Sequence, residues 1–310
     1  MEIYNCIVVL GPTASGKTKL ACDLAYELDG EIISADSRQV YKDLNIGTGK
    51  DLNEYLVSGQ RIEYHLIDII EPGEQYYLHQ FAEDLEKAFH HIRSKGKMPI
   101  ICGGSGLYLD ALRKDFSFTK IKENPSLRKE LENLSKEQLL KMLSKYPQEW
   151  IEHVDQNSVK RLIRAIEIAE ERSKSNPDLS TKELPYKPFY IGINVDTELR
   201  RQRISSRLQS RLNTGMIEEV KSLIEKGISP ERLEFLGLEY KFISQYLQGE
   251  FNREEMIARL ETAIFQFAKR QMTWFRRMEK EGVKIHWLEP QQDREALLAF
   301  LEQNGVTRLK

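Results

Sequence analysis

The sequence predicts an α/β chain in which a parallel sheet with helices on both faces is interrupted by a small inserted helical domain. Three observations lead there. A β-branched apolar run, Ile3 to Leu10, passes straight into the glycine-rich segment Gly11-Pro-Thr-Ala-Ser-Gly-Lys-Thr18 and then into a helix-period stretch. Further apolar runs ending in glycine or small polar residues alternate with helical patterns. Between about residues 115 and 188 the strand signal vanishes.

Taken in order, Ile3 to Leu10 reads as the first strand and Lys19 to Leu28 as the first helix, with Leu20, Leu24 and Leu28 on one face. Glu31 to Ser34 and Tyr64 to Ile69 read as short strands, the former running into Ala35, Asp36 and Ser37. Leu78, Phe81, Leu85, Phe89 and Ile92 recur at helical spacing ahead of Gly96, which suits a C-terminal cap. Met98 to Cys102 follows as a buried strand that ends in Gly103, Gly104, Ser105 and Gly106. Strands alternating with helices argue for a parallel sheet covered on both sides.

The core is thus expected over 1–114 and 189–310, with a helical insertion over 115–188. Leu127, Leu131, Leu134, Leu139, Leu140, Val159, Leu162, Ile163 and Ile166 supply its apolar positions in charged, helix-favouring sequence. Ser173 to Pro188, with its prolines, reads as a linker. Phe189 to Val195 resumes the sheet. Glu198 to Lys226 is helical, with Ile204, Leu208 and Leu212 on one face, Arg203, Arg207 and Arg211 beside them, and a break at Asn213 to Gly215. A helix over Arg253 to Lys280, carrying Trp274 and Phe275 as core residues, and a last strand at Val283 to Leu288 complete the pattern.

With 310 residues, 40% of them apolar, the chain can bury two units. No stretch approaches bilayer length, so no membrane association is expected, and a cytoplasmic monomer is the default. Cys6, Cys22 and Cys102 lie in apolar segments without zinc or redox spacing and read as buried free thiols. The net charge of −2 excludes a uniformly basic nucleic-acid binder, leaving only local arginine and lysine clusters for phosphate contacts.

Gly11 to Thr18 carries both glycines, the lysine and the hydroxyl of a phosphate loop between a strand and a helix, which makes the sheet P-loop NTPase-like. Its glycines let successive N–H groups turn toward one anion, the helix N-terminus adds partial positive charge, Lys17 adds a full charge, and Thr18 can ligate Mg²⁺. That says phosphate and metal, without saying which phosphate. An ATPase or GTPase needs an acidic residue at the end of a neighbouring strand, yet Met98 to Cys102 ends in glycines. Asp36, at the end of the second strand, stands where open α/β sheets place ligands and could accept a proton from a nucleophile; it could equally cap the following turn.

Gly11 to Thr18, Asp36-Ser-Arg-Gln-Val-Tyr41 with Ile46-Gly-Thr48, His65-Leu-Ile-Asp68, Gly103-Gly-Ser-Gly-Leu-Tyr108 and Ala268-Lys-Arg-Gln-Met-Thr-Trp-Phe275 together resemble the tRNA dimethylallyltransferase (tRNA isopentenyltransferase) family nearly end to end. The resemblance implies transfer of a dimethylallyl group from dimethylallyl diphosphate to N6 of adenosine 37, beside the anticodon of tRNA. It assigns the diphosphate to Gly11, Pro12, Thr13, Ala14, Ser15, Gly16, Lys17 and Thr18, with Arg207 and, second, Arg203, and Mg²⁺ to Thr18. Asp36, Lys17, Thr18, Arg207 and Ser105 are the implied catalytic set. The anticodon stem-loop is expected at Asp36, Ser37, Arg38, Gln39 and Ser105 around the flipped adenine, and at Arg128, Lys160, Arg161, Arg164, Lys269, Arg270 and Gln271.

Three departures from the family pattern stand out. Ser105 replaces the usual threonine, Lys160 a frequent glutamine, and Phe235-Leu-Gly-Leu-Glu-Tyr-Lys241 a Gly-Tyr-Arg-Gln-like segment. Competing readings are a small-molecule P-loop kinase, a nucleotide-dependent RNA-binding module, and an adenylate isopentenyltransferase acting on free nucleotide. The basic insertion speaks against the last.

Overall fold

Every strand pairing in the central sheet is parallel, so each strand delivers its C-terminal end to the same edge. The computed structural model of the chain describes residues 4–151, 154–175, 183–289 and 293–308. Two compact units result: residues up to Arg113 together with those from Pro185 onward, and Lys114–Leu184. The second boundary falls earlier than the sequence reading placed it, because Tyr186 packs edge-on against Phe89 at 5.0 Å and Pro188 already belongs to a strand.

Along the chain, β1 (Cys6–Leu10) leads to α1 (Lys17–Leu28) and β2 (Gly30–Ser34). After a 3₁₀ turn, a short hairpin of β3 (Leu56–Val57) and β4 (Gln60–Arg61) precedes β5 (Tyr64–His65), α2 (Leu78–Ser94), β6 (Met98–Gly103) and α3 (Gly106–Asp110). The smaller unit holds α4 (Pro125–Leu131), α5 (Lys136–Leu143), α6 (Gln148–Ile151) and α7 (Val159–Ser175). The larger unit resumes with β7 (Pro188–Ile193), α8 (Thr197–Asn213), α9 (Met216–Glu225), α10 (Pro230–Leu236), α11 (Leu238–Leu247), α12 (Arg253–Lys280), β8 (Ile285–Leu288) and α13 (Arg294–Gln303).

The sheet order β5-β2-β6-β1-β7-β8 puts the glycine-loop strand in the middle. Every residue of β1 is buried, as a strand covered on both faces requires. Ile7 and Val9 share one core with Ala21, Leu24 and Leu28 of α1 and Leu297 and Leu301 of α13, while α2 turns its buried Phe81, Leu85, Phe89 and Ile92 inward. This is the P-loop NTPase-like sheet expected from the sequence. A second core joins α8 to α12 with Val40, Tyr41 and Leu44 of the loop after β2.

Some expected elements are shorter or new. Pairing in β5 stops at His65, because Leu66 and Asp68 adopt left-handed φ values of 63° and 56° that no extended strand accommodates. The break before α9 is real, with Gly215 at φ 102°. Helices α10 and α11 had no periodic signal of their own; Ser229 caps the first, with Pro230 in its opening turn. Phe275 is buried as expected, whereas Trp274 is only half-buried, packed on Gly106 with the Arg277 guanidinium 3.9 Å from its ring centroid. Of the expected linker, 173–175 is helical, Pro188 is in β7, and 176–182 lie outside the described residues, as does Ile3. All three cysteines are buried and free. No helix among the described residues is long and apolar enough to cross a membrane.

At the sheet edge away from the glycine loop, the Glu31 side chain is 1% exposed and meets His65 Nε2 at 2.8 Å, Lys95 Nζ at 3.0 Å and Lys97 Nζ at 3.2 Å. Burial opposes its charge, but these hydrogen bonds outweigh burial and bring its pKa from 4.5 down to about 2. A depressed carboxylate stabilises the fold above its unfolded pKa and loses that contribution as pH falls toward its folded pKa. Urea unfolding should therefore show on the order of 3 kcal/mol lost between pH 4.5 and 2, and Glu31→Gln should be less stable at pH 7 with a flatter acid limb. Equal acid sensitivity in the variant would refute the assignment.

Candidate active site

The loops leaving β1, β2 and β6 converge on a cavity of about 420 Å³ in the larger unit, within the range of roughly 300–1,000 Å³ usual for small-molecule sites. Its floor is the glycine loop. Ala14 at φ 61° and Gly16 at φ 88° are left-handed, so the loop curls tightly into the head of α1. Ser15 is buried behind it, and its hydroxyl has no partner among the described residues.

Two helices latch this loop from the other side. Arg207 of α8 donates to the Thr13 hydroxyl. Gln271 of α12 accepts from the Thr13 N–H at 2.8 Å and donates to the Gly104 carbonyl at 2.9 Å. A Cβ on Gly104 would stand 2.3 Å from that Gln271 nitrogen, so a larger residue there would displace the Gln271 amide. Gln271, expected from the sequence at the tRNA, lines the cavity with its amide bonded to protein at both ends, and is 7% exposed.

Lys17 lines the cavity, and burial pulls its pKa down. Arg207 behaves alike: burial, with Arg211 close by, draws its pKa down to about 10, which still leaves it charged at neutral pH. Among the described residues neither forms an ion pair. Thr18 also lines the cavity, with its hydroxyl within hydrogen-bonding reach of the Cys102 thiol. Arg203, one turn earlier on α8, does not reach the cavity; Arg211 does, 3.3 Å from Asp51 Oδ2.

Asp36 Oδ1 accepts the Arg38 N–H at 2.9 Å, so it does cap its turn. It also lines the cavity, and Oδ2 accepts no hydrogen bond among the described residues, so capping the turn leaves that oxygen available. Ser105 Oγ accepts the Ser37 N–H at 3.1 Å and ties the β6 loop to the β2 loop. Gln39 accepts from the Ser34 hydroxyl at 3.0 Å and donates to the Gly49 carbonyl at 3.1 Å, so its amide too serves the loop. Arg38 and Arg270 line the cavity, whereas Lys269 is exposed outside it.

In the smaller unit, most of the expected tRNA cations are paired internally. Buried Glu167 meets Arg128 at 2.6 Å and Arg164 at 3.5 Å and accepts the Asn124 N–H at 3.1 Å. Arg164 also donates to the carbonyls of Thr119 and Ile121, and Arg161 pairs with Asp155. Lys160 is exposed and forms no ion pair among the described residues.

The chain matches the family model described as IPP transferase over residues 39–278. It belongs to the IPP transferase family. It is 48% identical over 291 residues to tRNA dimethylallyltransferase 1 of Parabacteroides distasonis, covering 93% of this chain and 94% of the relative. Against tRNA dimethylallyltransferase 2 of Shewanella sediminis it is 50% identical over 290 residues, with the same coverage. A solved tRNA isopentenylpyrophosphate transferase from Bacillus halodurans superposes with a TM-score of 0.68 at 29% identity, over 97% of this chain and 95% of that one. A eukaryotic dimethylallyltransferase acting on tRNA gives 0.79 at 25% identity, over 98% and 80%. The family resemblance read from the sequence is borne out.

Several residues of this IPP transferase site escaped the sequence reading. Gly49 and Asp51 line the cavity beside Thr48, as does Glu239, whose pKa burial raises. Glu219 accepts the N–H groups of Asn45, Ile46 and Gly47 from across 172 to 174 residues of sequence. The signal available was slight: Ile46-Gly-Thr48 and Glu219 both fell within recognised segments, but nothing in the sequence paired them.

If Gln271 positions the loop, Gln271→Leu should weaken pyrophosphate binding about 5- to 100-fold by leaving the Thr13 N–H and Gly104 carbonyl unsatisfied, while the salt dependence of tRNA binding stays as in the wild type. Calorimetry and a salt titration read the two effects; a lowered salt slope with intact pyrophosphate affinity would restore the RNA contact.

Proposed function

We propose that the chain transfers the dimethylallyl group of dimethylallyl diphosphate to N6 of adenosine 37 in tRNA, giving N6-dimethylallyladenosine and diphosphate. One observation carries this: Lys17 and Arg207, both half-buried and neither in an ion pair among the described residues, stand beside the glycine loop in the same cavity as Asp36. Two cations without an acidic partner in one pocket favour a polyanion, and a carboxylate in the same cavity favours a proton donor as the second reactant. The names of two relatives, both tRNA dimethylallyltransferases, support this pair. A kinase reading is disfavoured, because β6 ends in Gly103 rather than in a metal-binding carboxylate.

The exocyclic amine of adenine is a weak nucleophile. Asp36 accepts its N–H and takes the proton as the N6–C1 bond forms and the C1–O bond to diphosphate breaks. The electron pair of the broken bond leaves on the diphosphate, whose growing charge is met by the loop N–H groups, Lys17 and Arg207. Ser105 keeps Asp36 in place through the Ser37 backbone.

The residues suit Mg²⁺. Among the described residues no group of three His, Cys, Asp or Glu could hold a metal alone, while the Thr18 hydroxyl lies at the cavity wall. Mg²⁺ characteristically takes one or two protein oxygens and shares phosphate oxygens and water. Thr18 would hold it together with the diphosphate, and the ion would add positive charge against the leaving group. The enzyme would act as a cytoplasmic monomer, in keeping with its buried free thiols.

Incubation with labelled dimethylallyl diphosphate, Mg²⁺ and either tRNA or AMP, followed by digestion, should place label on adenosine from tRNA alone. Phosphoryl transfer or labelled AMP instead would overturn the proposal. Asp36→Asn should lower kcat about 10²- to 10⁴-fold with pyrophosphate affinity retained; unchanged turnover removes Asp36 from the chemistry.

The pairing in the smaller unit separates two kinds of tRNA variant. Lys160→Ala should reduce the salt slope of tRNA binding by about one phosphate. Arg164→Ala should chiefly lower the melting temperature of the protein, since it strips partners from Glu167 and two carbonyls. The reverse pattern would return Arg164 to the interface.

A further inference from the structure

Phe235 closes α10 and is 53% exposed, although its neighbours Glu234 and Leu236 both line the cavity. Two guanidinium groups stand over its ring, Arg38 at 5.1 Å and Arg232 at 5.0 Å from the centroid. Both are fixed. Arg232 donates to the carbonyls of Pro72, at 2.7 Å, and Glu74, and also lies 5.3 Å over Tyr41. Arg38 lines the cavity, and its backbone N–H is bound by Asp36. Among the described residues neither arginine forms an ion pair.

A half-exposed aromatic ring flanked by two cations in no ion pair among the described residues, at the rim of the cavity that holds Asp36, combines an apolar surface with positive charge. An acidic peptide would use the charge and leave the ring idle. A single-stranded nucleotide uses both, since unstacked bases settle on aromatic rings or guanidinium planes while nearby phosphates are attracted. We propose that Arg38, Phe235 and Arg232 form a stacking platform for the unpaired nucleotide next to the adenosine that enters the cavity.

The platform rests on the tRNA reading above and adds a residue that determines how the substrate is presented. Turning one base out of a loop deprives its neighbour of a stacking partner, and Phe235 replaces that partner at the rim. The neighbour's position then holds the extruded adenosine against Asp36. Phe235 itself belongs to the segment, Phe235 to Lys241, that departs from the Gly-Tyr-Arg-Gln-like family pattern.

The test uses the full chain and synthetic anticodon stem-loops, either intact or with an abasic nucleotide immediately 5′ or 3′ of the target adenosine. Phe235→Leu keeps apolar bulk and removes the ring; it should raise the Kd for the intact stem-loop roughly 5- to 150-fold, with pyrophosphate affinity and Tm unchanged. At one of the two positions the abasic stem-loop should bind the wild type with a similar loss, and pairing it with Phe235→Leu should cost no more than either change alone. Phe235→Tyr should restore wild-type binding and coupling. Additive losses at both positions, or wild-type affinity in Phe235→Leu, would overturn the platform while leaving the transferase reading intact. A wild-type chain that binds no stem-loop would overturn both.

Discussion

Four donors converge on one carboxylate. Glu219, on α9, accepts the backbone N–H groups of Asn45 at 2.9 Å, Ile46 at 2.7 Å and Gly47 at 3.0 Å, and the Tyr240 hydroxyl of α11 at 2.7 Å. Hydrogen bonds to a charged group contribute about 1.5–3 kcal/mol each, and a loop has no ladder of its own to satisfy its N–H groups. This contact ties the sheet half of the larger unit to its helical half. From the loop it fixes, the Gly49 carbonyl receives the Gln39 amide, and buried Lys50 reaches Asp68, Asn45 and the Tyr41 carbonyl. The Tyr240 ring lies so close that a Cβ on Gly47 would sit 2.7 Å from it. The cavity wall opposite the glycine loop therefore exists because α9 presents an acid there.

What could be read from the sequence was whatever is local. The glycine loop, the run into Asp36 and the glycines after β6 each announce themselves within a few consecutive residues, because a strand end and a turn are short-range objects. The partnerships that build the site are not local: Gln271 meets Thr13 across 258 residues and Arg207 meets Thr13 across 194. Helical spacing placed Arg203, Arg207 and Arg211 in one row but could not give the depth of each, and the row crosses the cavity only over its last two members. Likewise, the apolar run from Tyr64 looked like a strand until two left-handed residues ended it.

The smaller unit shows the same limit in its charges. Arg128, Arg161 and Arg164 look alike in sequence to cations that grip a phosphate backbone, yet each has an acidic partner within its own fold. Glu167 sits one turn from Arg164 on α7, but Arg128 comes from α4, so only the packing of these helices shows that a single buried carboxylate answers two guanidiniums. Of its core, Leu131, Leu139, Leu162, Ile163 and Ile166 were legible in the sequence, while Leu143 was missed and Val159 proves exposed. Apolar period reports which face is inside; it does not report which charges on the other faces are already matched.

The latch of Thr13 by Arg207 bears on how a catalytic cycle closes. A cradle already assembled by protein contacts does not need its ligand to form, so it does not fall apart when the ligand has reacted. On the proposed reaction, the charges that draw in the diphosphate ester confront free pyrophosphate at the end, and pyrophosphate carries more negative charge than the ester did. The same charges then hold the released pyrophosphate, so accumulated pyrophosphate would compete with the ester for the cradle.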